Sequence, residues 1–171
     1  MKRLLALILV LGLASTANAI LTEIQLGIDG SSVGPEYDVV TGNTISVEVY
    51  TGNTNAGLAY LGFEDNGLYT LSNPRTPYYD PPLVTYTYSY VSGGYHWFEI
   101  TVSSTPEGTI TPGIIFLVDL TAGGSTGTVD VILADETFVT KDTTVINIVP
   151  EPVTITLFAL GGLAILRKRR G

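Results

Sequence analysis

Between Thr22 and Val149 apolar and polar positions alternate with a period of two. The alternation runs in short stretches separated by Gly, Asn, Asp and Pro, and no window carries a helical period. Thr44–Tyr50 is the clearest stretch: Ile45, Val47 and Val49 fall on one face, Ser46 and Glu48 on the other. Further strands are predicted over Thr22–Ile28, Gly57–Phe63, Leu68–Leu71, Val84–Val91, Tyr95–Val102, Thr128–Leu133 and Val145–Val149. Gly113–Leu120 is almost wholly apolar and reads as a strand buried on both faces. Glu64-Asp65-Asn66-Gly67 and Ser92-Gly93-Gly94 read as turns. About nine short strands with frequent turn signals predict an all-β domain, a two-sheet antiparallel β-sandwich of jelly-roll type. Pro74 to Pro82 reads as a rigid loop outside the ladders, covering a sheet edge or presenting Arg75, Tyr78 and Tyr79 to a partner.

Both ends break this pattern. Lys2 and Arg3 precede an apolar run from Leu4 to Leu13, and Ala17-Asn18-Ala19 has the small-x-small form of a cleavage site. Residues 1–19 therefore read as a signal peptide cleaved after Ala19, leaving residues 20–149 as the exported domain. At the other end, Pro150-Glu151-Pro152 precedes an uncharged run, Val153–Leu166, and the basic cluster Arg167-Lys168-Arg169-Arg170. Proline keeps the entry extended, and the cations favour the cytoplasmic side of a membrane. As a helix the apolar run would be roughly 21 Å long, short of the roughly 30 Å of a hydrocarbon core. A transient, processed anchor is the expectation; local bilayer thinning and snorkelling of Arg167 leave a weak permanent one open.

The Pro-Glu-Pro triplet, the run containing Gly161 and Gly162, and the terminal basic cluster resemble the PEP-CTERM sorting signal of Gram-negative bacteria. The resemblance implies export and handling by signal peptidase and an exosortase. It also implies delivery to the cell envelope, the outer surface or an extracellular matrix, with a transmembrane helix that anchors the chain at least transiently.

Setting the ends aside changes the charge. Of 8 basic residues only Arg75 and Lys141 lie in residues 20–149, against 15 of the 16 acids, a net of −13 for the domain. Such a surface repels nucleic acid and is compatible with calcium or a polysaccharide matrix. The chain has no cysteine, which excludes a disulfide framework and thiol catalysis.

A second resemblance rests on the order of the strands. Gly42-Asn43-Thr44-Ile45-Ser46-Val47-Glu48-Val49 is followed by Ala56-Gly57-Leu58 and Leu61-Gly62-Phe63-Glu64-Asp65. Gly113-Ile114-Ile115-Phe116-Leu117-Val118-Asp119-Leu120 then precedes Gly127-Thr128-Val129-Asp130-Val131. The series resembles a cohesin-type module over residues 20–149, close to some carbohydrate-binding sandwiches. The resemblance implies protein or glycan attachment at a bacterial surface. No dockerin-like segment accompanies it, so cellulosome assembly is not implied.

The residues offer little catalytic chemistry. His96 is the sole histidine, in a strand beside Trp97, and no Gly-x-Ser-x-Gly elbow appears. A zinc site draws on several His or Cys ligands, which the chain lacks. No catalytic residue and no cofactor is predicted, and a polysaccharide hydrolase is the least favoured reading. Glu64, Asp65 and Asn66 are weak calcium candidates, because acid-Asn-Gly is equally a turn signal.

The strongest binding candidate is aromatic. Tyr86, Tyr88 and Tyr90 alternate along one predicted strand, and the next turn decides what they face. With a two-residue turn at Gly93-Gly94, Tyr90 lies opposite Trp97 and the stripe forms a glycan-stacking platform of Tyr86, Tyr88, Tyr90 and Trp97. With a three-residue loop, Tyr88 lies opposite Phe98, and the stripe joins Ile100 and Val102 in the core. The sequence leaves both registers open.

Overall fold

The computed structural model describes Leu21 and residues 23–52, 56–77, 84–103 and 113–152; for residues 88–90 it describes the backbone only. Residues 1–20 and 153–171 lie outside this range, so the leader, with Ala17 and Ala19, and the apolar run with Arg167, Lys168, Arg169 and Arg170 are not described. Among the described residues no helix is long and apolar enough to cross a membrane.

Eleven strands form two sheets: β1 Ile24–Ile28, β2 Ser31–Ser32, β3 Glu36–Val40, β4 Thr44–Thr51, β5 Gly57–Glu64, β6 Tyr69–Arg75, β7 Val84–Ser92, β8 Tyr95–Val102, β9 Gly113–Ala122, β10 Gly127–Asp135 and β11 Thr140–Val149. One sheet runs β2-β1-β4-β9-β6 and the other β3-β11-β10-β5-β8-β7. The domain is an all-β, two-sheet sandwich. It is not purely antiparallel: β3 pairs parallel to β11, with Glu36 opposite Val145 and Val40 opposite Val149.

Period-two alternation explains the core. Val47 and Val49 of β4 and Phe116, Val118 and Leu120 of β9 are buried, and they meet Leu61 and Phe63 of β5, Phe98 and Ile100 of β8, Val129, Val131 and Leu133 of β10, and Ile146 of β11. Phe98 joins the sheets, its ring centroid 5.3 Å from Phe116 and 6.3 Å from Phe63. Strand β9 is not buried on both faces as its composition suggests. Leu117 and Asp119 stay half-buried on the outer side, so one face alone enters the core.

Two further expectations are corrected. Strands β2 and β3 fall in a stretch for which no strand was predicted; Asp29 and Gly30 adopt positive φ (49° and 80°) and turn β1 back on β2. Glu64–Gly67 is a turn, as expected, and it carries the chain from β5 in one sheet to β6 in the other. Pro74 and Arg75 are not loop: β6 extends through them at a sheet edge, where an irregularity between Ser72 and Arg75 accommodates the proline.

Candidate functional site

The Tyr-rich hairpin follows both predicted registers at once. Gly93 and Gly94 take positive φ (62° and 82°), Ser92 pairs with Tyr95 and Tyr90 lies opposite Trp97, as a two-residue turn requires. A bulge between Tyr88 and Tyr90 then shifts the ladder by one residue, so Tyr88 lies opposite Phe98 and Tyr86 opposite Ile100. Tyr86 and Tyr88 therefore pair in one register and Tyr90 in the other. Tyr86 turns inward: its ring centroid is 5.3 Å from that of Phe116, and its hydroxyl donates to the Pro74 carbonyl at 2.8 Å. Tyr88 and Tyr90 are placed by register alone.

Trp97 belongs to a different aromatic group, on the outer face of the six-stranded sheet. There Tyr95, Trp97 and Glu99 of β8 lie opposite Glu64, Gly62 and Tyr60 of β5. Gly62 makes this possible. A Cβ at that position would stand 2.6–2.9 Å from three atoms of the Trp97 six-membered ring, so only glycine lets the indole rest on the strand. The indole Nε1 donates to the Ser92 carbonyl at 3.1 Å. Tyr95 stands beside Trp97 with ring centroids 5.6 Å apart.

Phe138 completes the group from the β10–β11 loop. It stacks on Tyr60 (4.3 Å, 18° between planes) and stands edge-on to Trp97 (6.4 Å, 88°). The result is a corner: Trp97 forms a floor along the sheet, and the Tyr60–Phe138 stack forms a wall. Phe138 is 57% exposed. Its φ of 58° is unusual for a residue with a side chain and carries an energetic cost.

Asp135 holds that loop. It is 4% exposed, and its Oδ1 accepts from the Thr137 amide (2.9 Å), the Thr137 hydroxyl (2.7 Å) and the Val139 amide (3.1 Å). Its Oδ2 pairs with Lys141 Nζ at 2.8 Å. The Lys141 contact, helped by the Thr137 and Val139 donors, outweighs burial and holds the carboxyl well below the usual range.

Carboxylates rim the corner. Glu64 Oε2 lies 3.5 Å from the Asp130 amide, and Glu99 is opposite Tyr60. Burial, then the charges of Asp130 and Glu64, raises the Tyr95 hydroxyl above its ordinary pKa, so it stays protonated at neutral pH. Both cations of the domain are engaged: Lys141 with Asp135, and Arg75 with Asp119 at 2.8 Å on the other sheet. Asn73 and Ser46 join that second network, which ties Arg75 of β6 to β9 and β4.

Solved structures of similar outline exist. A cohesin from Clostridium thermocellum, solved in a cohesin–dockerin complex, is 12% identical over 79% of this chain and 99% of that one, with a TM-score of 0.49. A cohesin module of a family 33 glycoside hydrolase from Clostridium perfringens is 17% identical over 76% and 99% (TM-score 0.47). A non-cellulosomal cohesin from Archaeoglobus fulgidus is 13% identical over 78% and 96% (TM-score 0.44). No protein-family profile and no curated protein matches the chain.

Asn66 donates to Glu64 Oε2 at 3.1 Å and to the Thr128 carbonyl at 2.7 Å, tying the turn to β10. Asp65 turns the other way, with Oδ1 at 2.8 Å from His96 Nε2. The three calcium candidates therefore do not converge on one point. Among the described residues no group of three or more His, Asp or Glu could hold a metal. Pro150, Glu151 and Pro152 follow directly on β11 and are exposed. Sequence reasoning missed Tyr60 and Phe138. Gly62 midway along an apolar strand was the available signal, since a strand glycine marks close approach by another group.

Proposed function

We propose that the chain is an exported, non-enzymatic attachment module of the bacterial cell envelope or extracellular matrix. The aromatic corner of Trp97, Tyr60 and Phe138 carries this reading. It is an aromatic patch on the face of a strongly acidic sandwich. The terminal segments support the delivery route: a leader ending at Ala19, then sorting through Pro150-Glu151-Pro152, the apolar run 153–166 and Arg167–Arg170 by an exosortase-type enzyme. The exposed Pro-Glu-Pro triplet directly after β11 suits recognition by such an enzyme. The domain binds a protein or polysaccharide partner through its sheet face.

Intact mass combined with cell fractionation tests the proposal. The expected product starts at Ile20, ends near Pro150-Glu151-Pro152 and is found in the envelope or matrix. An unprocessed chain from Met1 to Gly171 in the soluble cell interior would overturn it.

A further inference from the structure

The corner's chemistry narrows the partner. Resting on the attachment-module reading, we propose that Trp97, Tyr60 and Phe138 form a subsite for one neutral pyranose unit of a polysaccharide. A pyranose presents an apolar C–H face and an equatorial ring of hydroxyls. A flat indole against a sheet suits the first, and hydrogen-bonding groups at its margin suit the second. Here the Tyr95 hydroxyl donates at one end, while Glu64 beside Asp130 and Glu99 beside Tyr60 accept.

Charge selects against acidic ligands. The corner is rimmed by carboxylates, and Arg75 and Lys141 are committed to Asp119 and Asp135, so uronic acids and phosphates are repelled. Size selects against a folded protein. Among the described residues only Val91, Phe138 and Val139 are large, hydrophobic and exposed. A stable protein interface of roughly 800 Å² per partner is built around an apolar, desolvated core, whereas one sugar ring is matched by a single aromatic corner. The strained, Asp135-held loop keeps Phe138 in place before any ligand arrives, which reduces the ordering needed on binding.

Trp97 is the only tryptophan in the chain, so its fluorescence reports this site alone. The full-length chain is titrated with hydroxyethylcellulose, xylan, galactomannan and galactan, and in parallel with alginate and polylysine. The expected result is a saturable shift with at least one neutral polymer, insensitive to salt, and none with alginate. In Phe138→Ala, which leaves the core intact, affinity should fall about tenfold or more. No shift with any of the four neutral polymers overturns the proposal. A salt-sensitive shift with polylysine alone also overturns it, in favour of a cationic protein segment. The attachment reading fails separately: a processed chain in the envelope with an unresponsive Trp97 keeps that reading and loses only this one.

Discussion

Tyr50 and Glu48 show how one residue can set a pH limit. Glu48 lies on the five-stranded sheet and is 5% exposed, and its Oε2 accepts from the Tyr50 hydroxyl at 2.6 Å and the Gly30 amide at 3.2 Å. The bond to Glu48, then burial and the Glu48 charge, pushes the Tyr50 pKa up to about 12. Because the folded value exceeds the unfolded value near 10, the contribution is complete below pH 10 and is lost as pH rises toward 12. We expect Tyr50→Phe to lower stability at pH 7 by about 1–2 kcal/mol. The gap between parent and variant should close in urea titrations repeated from pH 9 to 12. A gap that persists at pH 12 would contradict the bond's role. At this scale the sequence was partly readable. Alternation placed Val47 and Val49 on one face, and Gly62 marks a close approach to β5, but that Trp97 is the approaching group needs the β5–β8 register.

The β10–β11 loop is the element on which the corner depends. Asp135→Asn removes the charge facing Lys141 and weakens the hold on the Thr137 and Val139 amides, so the loop should loosen and Phe138 should leave Tyr60. We expect a loss of about 3 kcal/mol at pH 7. Asp135 has a depressed folded pKa, so its contribution is present above about pH 4 and disappears as pH falls below that. Thermal melts of parent and variant should therefore converge in acid, and unchanged neutral melts would refute the loop's part. Elements with strong alternation were legible, and Tyr95–Val102 matches β8 end to end. Strand β3 was not, because Glu36-Tyr37-Asp38 reads as polar and its partner β11 lies more than a hundred residues away. Nor was the bulge in β7. A ladder shift of one residue leaves no mark in composition, yet it turns Tyr86 into the core while Tyr90 stays opposite Trp97.

At the scale of the whole molecule, charge dominates. Fifteen acids against two paired cations repel one another throughout the folded domain. Salt screens that repulsion more than it weakens two ion pairs, so the melting temperature should rise from low ionic strength to about 0.15 M sodium chloride. A falling melting temperature would show that the two pairs outweigh the net charge. The sandwich class was legible from strand count and turn spacing, while the sorting of strands between sheets, set by contacts remote in sequence, was not.

The placement of β11 also has a mechanical meaning. This ten-residue strand lies between β10 and β3, hydrogen-bonded on both sides, and Val149 is its last residue. Tension entering at Val149 runs along the strand, perpendicular to both rows of hydrogen bonds. Those bonds are loaded together in shear and are not peeled open one after another. A domain tethered through Val149 while its aromatic corner grips a matrix would thus bear load through a strand laced on both sides.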